Sequence, residues 1–328
     1  MRGKILFIGL MSWQFATAQV QLFYPKKTPK EHARALIALP DFSFVSGSSA
    51  ALIRSISPSG MLQMQSELDS SFREIRDICQ TSTGFVALQS NDSSALIRLD
   101  AQLKVQQIER PTWQGKALFL DGISAVGDSL FAFGDPVNQE FATFISTDGG
   151  FTWQATSGKV KANIGEAAFA ASGQSCQVYG THIYFISGGL RSMFYASPDF
   201  GKTWQAVPIP YPSCPSCGPY AVAFSDRQHI VCVGGDYTQP KLQTNTCFYS
   251  TDGGLHWQPS KRPPTGYRSC VIAVNNELYA CGTNGIDVSK NGGKTWKKIS
   301  TVNALSMAYN GRSILVSLAN GSYLFLHP

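Results

Sequence analysis

The sequence predicts an all-β chain that folds as a single seven-bladed β-propeller, and three observations predict it. Short β-branched and aromatic runs alternate with turn signals, without sustained helical periodicity. A phrase of the form Ser-x-Asp/Asn-x-Gly-x-x-Trp recurs four times at spacings of 39 to 53 residues, which suits four-stranded blades. The chain has 328 residues, 43% of them hydrophobic, so it is long enough to bury the core of one large β domain.

The first predicted element is an export signal over residues 1–18. Two basic residues precede the apolar run 5–11, and small residues at 16–18 suit a cleavage site. The apolar run is too short to span a bilayer, and no Cys suitable for lipid attachment lies near the cleavage site. We therefore expect residues 19–328 to form an exported protein, periplasmic or extracellular, with no integral membrane segment.

Seven blades follow the signal. The first two carry the related strands 51–54 and 95–98 but lack the repeated phrase, and the last offers only three strands, ending with 323–326. We expect residues 20–24 to supply the missing fourth strand, because this closes the ring and removes a free sheet edge. The predicted inner strands start, in order, near Ala35, Arg73, Leu120, Glu166, Tyr220, Arg268 and Leu305.

The repeated phrase is predicted to form the hairpin between the third and fourth strands of its blade. Glycines supply positive φ, the carboxylate accepts hydrogen bonds from turn amides, and the Trp packs back between neighbouring sheets. The local hydrogen-bond chemistry favours a structural role over a catalytic one for the third residue of the phrase. Those residues are Asp148, Asp199, Asp252 and Asn291.

This phrase resembles the Asp-box, or bacterial neuraminidase repeat, written Ser-x-Asp-x-Gly-x-Thr-Trp. The four copies match it at blade spacing, with His256 in place of Thr in one copy and Asn291 in place of Asp in another. In that family the box is structural. The resemblance therefore implies that the repeat builds the propeller and does not mark an active centre.

Eight cysteines, an even number, in an exported chain predict disulfides. A two-residue turn at 275–276 places Cys270 directly opposite Cys281, where they form either a bridge or two adjacent buried thiols. Cys214 and Cys217 have the spacing of redox and zinc sites. Without a second Cys or His pair or a βαβ setting, a local disulfide in a Pro-rich loop is the favoured interpretation.

The charge pattern excludes few classes of function but argues against nucleic acid. The chain carries 27 Lys and Arg against 21 Asp and Glu, and loss of Arg2 and Lys4 with the signal lowers the formal charge from +6 to +4. No basic stripe stands out, so we expect no nucleic-acid partner. The five His are scattered without metal spacing, so we expect no metal and no cofactor.

Strand alternation predicts that the repeated turns and the polar starts of the inner strands lie at opposite ends of the ring. Two interpretations of the polar end stay open. The charges pair between blades and lock the ring, or they line a ligand site at the mouth of the central channel, where Arg recognises carboxylates or phosphates. The candidate ligand-binding residues are Arg73, Asp135, Arg191, Asp236 and Arg268.

Several short sequence segments at this end resemble segments of the secreted bacterial propellers named after the photosystem II stability and assembly factor. They are Phe119-Leu120-Asp121, Gly134-Asp135-Pro136, Gly165-Glu166-Ala167, Gly188-Gly189-Leu190-Arg191-Ser192, Gly234-Gly235-Asp236-Tyr237-Thr238 and Gly266-Tyr267-Arg268-Ser269-Cys270. The resemblance covers essentially the mature length. It implies a binding scaffold that grips a protein segment or a glycan at this end, and we expect a monomer.

The alternative is a glycoside hydrolase, because sialidases and some glucan hydrolases also carry Asp-boxes. Asp121 and Glu166 are the candidate acid and base or nucleophile, and their carboxyl separation would distinguish retaining from inverting chemistry. Tyr267 is of the residue type that acts as the sialidase nucleophile. The segment 72–75 differs from the Arg-Ile-Pro start of sialidases, and sialidases use six blades where seven are counted here.

Overall fold

The structure is a computed structural model that describes residues 21–22, 24, 28–69 and 71–328. The predicted export signal, residues 1–18, lies outside the described residues. Throughout the described part of the chain the regular elements are β-strands, and no helix there is long and apolar enough to cross a membrane. The prediction of an all-β, seven-bladed propeller is confirmed.

The blades follow one another along the chain, each an antiparallel sheet that runs from an inner to an outer strand. Blades 1 and 2 are Ala33–Ala38, Phe44–Ser48, Leu52–Ile56 and Leu62–Glu67, then Ile75–Thr81, Gly84–Gln89, Ala95–Asp100 and Val105–Glu109. A short hairpin, Thr112–Trp113 with Lys116–Ala117, leads to blade 3, which is Leu120–Val126, Ser129–Val137, Glu140–Ser146 and Gln154–Ala155.

Blade 4 is Glu166–Ala167 with Cys176–Tyr179, then His182–Gly189, Met193–Ser197 and Gln205–Pro208. Blade 5 is Cys217–Phe224, Ile230–Asp236, Cys247–Ser250 and Gln258–Pro259, and blade 6 is Cys270–Val274, Glu277–Gly282, Gly285–Ser289 and Lys297–Ser300. Blade 7 is Ala304–Tyr309, Ile314–Leu318 and Tyr323–Leu326, completed by Gln21–Leu22.

The ring closes as predicted. Gln21 pairs with Leu324 and Leu22 with Tyr323, so the start of the described chain supplies the fourth strand of blade 7. Apolar clusters fill the space between each pair of neighbouring blades, including one that joins blades 7 and 1 through Phe44, Leu315 and Tyr323. Burial of these facing sheets is the main term that stabilises the ring.

The repeated turns join the third and fourth strands of blades 3 to 6. In blade 3, Ser146 Oγ accepts from Gly150 N at 2.9 Å, and Asp148 accepts from Thr152 N at 2.9 Å and from Thr152 Oγ1 at 2.6 Å. These bonds hold the pKa of Asp148 at about 2, against the effect of partial burial. The pKa values of Asp199 and Asp252 are likewise about 2, and we call these three residues the turn aspartates.

Glycine is required at the fifth position of the turn. Gly150 has φ of 88°, and a Cβ there would lie 2.7 Å from Cγ2 of Val86 in the preceding blade. The turn therefore sits directly against its neighbour, and Trp153 Nε1 closes it with a 3.2 Å bond to Gly150 O. His256 replaces the Thr of its copy by bonding Asp252 Oδ2 through Nδ1 at 2.6 Å.

The inner strand of blade 4 departs from the expected continuous strand that starts at Glu166. It is interrupted after Ala167 and resumes at Cys176, and both pieces pair with the next strand. Residues 168–175, here called the channel plug, leave the sheet and cross the central channel. Small side chains over most of this segment allow it to fit there.

Hydrogen bonds attach the channel plug to blades on every side. Its carbonyls at Ala171 and Ala170 accept from Arg34 Nη1 at 3.0 Å and Arg76 Nη1 at 3.2 Å, in blades 1 and 2. Gln174 Nε2 donates to Met307 O of blade 7 at 3.2 Å. The plug therefore divides the channel into two blind cavities, one at each end.

Candidate functional site

The end of the channel at which the inner strands begin holds a cavity of about 450 Å³, which we call the mouth cavity. Its floor is the channel plug, which contributes Ala170 and Ala171 to the lining. The repeated turns lie at the other end, where Gly149 N of the blade 3 turn bonds Asp128 O of the adjoining loop at 3.0 Å. The predicted separation of these two groups is confirmed.

Aromatic rings form one wall of the mouth cavity. Phe169 of the plug stacks on Tyr220 of blade 5 with ring centroids 4.2 Å apart and an interplanar angle of 4°. The ring of Tyr267 in blade 6 lies edge-on to Tyr220, with centroids 4.9 Å apart. The half-exposed Tyr237 also lies edge-on to Tyr220, with centroids 6.2 Å apart. Such a wall offers apolar area with little loss of side-chain freedom on binding.

Two arginines from equivalent positions of blades 1 and 2 line the cavity. Arg76 pairs with Glu74, Nη2 to Oε2 at 2.9 Å, but Arg34 has no carboxylate partner among the described residues. The Nε atoms of both arginines lack a hydrogen-bond partner in the described protein. Burial lowers the pKa of Arg34 and the neighbouring Arg76 charge lowers it further, while the nearby Glu74 acts in the opposite direction.

Asp121 and Asp135 of blade 3, the blade after that of Arg76, also line the cavity. Asp121 is 2% exposed, and its Oδ2 has no hydrogen-bond partner in the described protein. Burial raises the pKa of Asp121 well above its usual range, and the nearby Asp135 raises it further. Asp135 Oδ1 accepts from Ala168 N of the plug at 3.0 Å, and burial raises its pKa as well.

Glu166 does not face the mouth cavity, contrary to the expectation for a hydrolase. Its Oε1 accepts from Tyr195 OH at 2.6 Å and from Ser187 Oγ, and its Oε2 accepts two bonds from Asn163 at 2.7 Å. These bonds hold the carboxylate inside blade 4. Tyr267 does line the cavity, but burial raises the pKa of its phenol, so the neutral form is favoured.

The three arginines predicted as ligand-binding residues do not line the mouth cavity. Arg268 is fully buried and ion-paired with Asp287, also fully buried, because its side chain turns into blade 6. Arg73 and Arg191 are exposed and lie outside the lining of the mouth cavity. Asp236 is buried and accepts bonds from Ser216, Thr238 and Gln239 at 2.6–3.0 Å, which shape its own loop.

Sequence reasoning missed Arg34 and Arg76. In blade 1 the register shifts between the buried Ala33 and Ala35, so Arg34 lies at a β-bulge at the start of the strand, which sequence alternation alone does not reveal. In blade 2 the strand begins at Ile75, two residues later than expected and directly after Glu74, which has a positive φ of 54°. The register shifts between Ile75 and Asp77, so Arg76 lies at a β-bulge equivalent to that of Arg34.

The cysteines divide into one bridge and six buried thiols. Cys214 and Cys217 form a disulfide, as favoured. Cys270 and Cys281 are opposed in the predicted register, but both are free thiols, which decides between the two interpretations. Asp236 lies near the 214–217 pair, within 4.8 Å between ligand atoms, but two bonded sulfurs do not form a metal site.

Comparison with protein-family models and with curated proteins gave no match. Solved structures do match. A virginiamycin B lyase from Staphylococcus aureus aligns with a TM-score of 0.67 at 10% identity, over 94% of this chain and 98% of that chain. YCF48 from Cyanidioschyzon merolae aligns with a TM-score of 0.64 at 13% identity, over 94% of this chain and 98% of that chain. The Pan2 WD40 domain from Neurospora crassa aligns with a TM-score of 0.65 at 12% identity, over 94% of this chain and 95% of that chain. At such identities these likenesses show the propeller fold alone.

Proposed function

We propose that this chain is an exported binding protein that holds a segment of a partner protein at the mouth cavity. One observation carries the proposal: a blind cavity of about 450 Å³ unites an aromatic wall with a cationic side chain, Arg34, that has no carboxylate partner among the described residues. Concave sites with apolar walls and a few convergent polar groups are where proteins bind ligands.

The shared fold supports this proposal only in general terms. Solved WD40 propellers share this ring of blades. The repeated turns resemble Asp-boxes, and the short sequence segments at the mouth end resemble those of assembly-factor-like propellers. Both resemblances also support a binding protein. A monomer suffices for this function, because all the cavity residues come from one chain.

The hydrolase alternative has less support. It needs two carboxyls facing the same substrate, and Glu166 is held inside blade 4 by four hydrogen bonds. Asp121 remains in the cavity, but the carboxyl beside it, Asp135, is bonded to the plug. A glycan ligand is therefore the second expectation for binding, and turnover of a glycoside is not expected.

The test is binding of peptide and glycan arrays to the purified chain from residue 19, with a blocked cavity as the comparison. Thr283→Trp places a large ring at an exposed position of the cavity lining without removing a core contact. Thr251→Trp makes the same change at an exposed position on the opposite face. We expect peptide binding that the first variant abolishes and the second retains.

Peptide binding that both variants retain would place the ligand elsewhere and refute the proposal. Binding of glycans alone would replace the partner class. Hydrolysis of fluorogenic glycosides by the wild type, lost in Asp121→Asn, would instead establish the enzyme. Export is tested separately by cell fractionation and N-terminal sequencing, for which we expect a mature chain that begins at residue 19.

A further inference from the structure

We propose that the mouth cavity captures the C-terminal carboxylate of the partner chain, together with an apolar or aromatic last side chain. The inference rests on the proposed function, because it takes a protein segment as the occupant of this cavity. It adds which part of the segment enters and which chemistry holds it.

The arginine pair is the recognition element for the carboxylate. Arg34 uses one of its nitrogens, Nη1, to bond Ala171 O, and it makes no ion pair with a described carboxylate, although Glu74 lies near enough to act on its charge. Arg76 stands at the equivalent position of the next blade and is only partly neutralised by Glu74, whose side chain is 35% exposed. A carboxylate placed between the two guanidiniums would offset their mutual repulsion and accept charge-assisted hydrogen bonds.

Asp121 supplies a complementary group from the blade next to Arg76. Its carboxyl is buried against the cavity, and Oδ2 has no partner in the described protein. A carboxylic acid that keeps its proton in such a setting donates a hydrogen bond, and a carboxylate oxygen is the acceptor it suits best. Burial and the nearby Asp135 raise the pKa of Asp121 well above its usual range despite two backbone hydrogen bonds and the Arg76 charge, so the protonated donor is favoured.

The closed floor selects a chain end rather than an internal segment. The channel plug seals the cavity, with Ser172 Oγ bonded to Ser269 O at 2.6 Å and Gln174 O bonded to Val222 N at 2.9 Å. A chain that enters cannot leave through the channel, and about 450 Å³ holds only one or two residues. Capture of a C-terminal carboxylate is an established mode of peptide recognition.

The remaining wall suits an apolar side chain better than a sugar. Phe169 and Tyr220 present a stacked surface, and Ala304 and Leu305 continue it. The Tyr220 hydroxyl already bonds Ser216 O at 2.9 Å, and the hydroxyl of Ser269 already bonds Leu305 O at 3.1 Å. A sugar would leave several buried hydroxyls unpaired here, whereas an aromatic or aliphatic residue would not.

Fluorescence anisotropy with short peptides labelled at the N-terminus tests the inference. The probes share one flexible sequence and differ at the end: Phe with a free carboxylate, Phe with a carboxamide, and Ser with a free carboxylate. We expect the first to bind, and the other two to bind at least about 10-fold more weakly. This comparison uses the wild-type protein, so it does not depend on the folding of any variant.

Variants then locate the contact. We expect Arg34→Met to weaken binding of the free-acid Phe peptide by at least about 10-fold. Arg34→Lys keeps the charge but loses the planar guanidinium with its paired donors, and it should weaken binding by less. Arg227→Met, an exposed arginine in a loop at the opposite end of the ring, is the matched control and should bind normally. Melting temperatures measured alongside show whether Arg34→Met has also loosened the plug.

The outcomes separate the two proposals. If acid and amide bind equally and Thr283→Trp abolishes both, the carboxylate inference is wrong while the protein-segment function stands. If glucuronate oligosaccharides bind and no peptide does, both proposals fail. If Arg34→Met and Arg227→Met bind the free acid equally well, the arginine pair is not the carboxylate site and the inference is overturned.

Discussion

The buried pair of Arg268 and Asp287 gives the sharpest test of how side chains at the mouth end divide between structure and binding. Both side chains are fully buried. Arg268 Nε donates to Asp287 Oδ2 at 2.8 Å, and Nη1 donates to Tyr267 O at 2.8 Å and to Asn284 Oδ1 at 2.9 Å. Nη2 donates to Thr265 Oγ1 at 3.0 Å and to Asp287 Oδ2. Every donor direction is therefore occupied within blade 6 and its loop.

Replacing Arg268 by Met removes the cation and leaves Asp287 buried without its charge partner. Loss of one member of a buried pair costs about 3 to 5 kcal/mol in the free energy of unfolding. For a chain of this size, roughly 2 °C of melting temperature corresponds to 1 kcal/mol, so we expect the midpoint to fall by roughly 6 to 10 °C.

Urea denaturation and thermal melting measure the effect, and a double-mutant cycle assigns it. Asp287→Leu alone should also destabilise, whereas the double variant should recover much of the loss, because a well-packed apolar pair replaces the ions. Arg191→Met, an exposed arginine at the same end, should change stability by less than about 0.5 kcal/mol. If Arg268→Met costs less than about 1 kcal/mol but weakens peptide binding, the reasoning is wrong and Arg268 is a ligand contact.

Three further predictions follow from the same contacts. In urea denaturation, Gly173→Ala should lower the free energy of unfolding by about 1 to 3 kcal/mol more than Gly115→Ala. Both glycines have positive φ, but only at Gly173 would the new Cβ lie 2.2 Å from Oδ1 of Asp77. Equal losses of stability would contradict the plug geometry. The turn aspartates have pKa values of about 2, below the ordinary 3.8, so they stabilise the fold above pH 4 to 5 and lose this effect as pH falls towards about 2. Replacing all three by Asn should flatten the fall in melting temperature over that pH range. An unchanged dependence of melting temperature on acid pH would contradict this assignment. Alkylation of the denatured, unreduced protein should modify six cysteines, with Cys214 and Cys217 recovered as one linked peptide by mass spectrometry; a linked Cys270–Cys281 peptide would show that these thiols also bridge.

Much of the fold could be predicted because its signals are local. Alternating apolar residues and turn residues define each strand, and the turn at 275–276 set the register of blade 6, which the pairing of Cys270 with Cys281 confirms. The repeated turns were placed correctly for the same reason: their hydrogen bonds join residues two to four positions apart.

The candidate site could be predicted only in part. Asp121, Asp135 and Tyr267 line the mouth cavity as expected, since each stands near the end of a strand that opens there. Glu166 and Arg268 were expected there for the same reason, but each found partners inside its own blade. The choice between channel and blade depends on which neighbouring side chains offer a stronger hydrogen bond, and that is not visible in strand order.

The sequence by itself determined the number of blades, the closing strand and the face on which the repeated turns lie, because these depend on periodicity and on contacts between chain neighbours. Tertiary structure alone decided that residues 168–175 cross the channel and that Arg34 and Arg76 meet Asp121 at its mouth. Arg34, Arg76, Asp121 and Ala171 are 42 to 137 positions apart in the chain, so only closure of the ring brings them together. The chemistry of the mouth is therefore a product of long-range packing, with the plug as its floor.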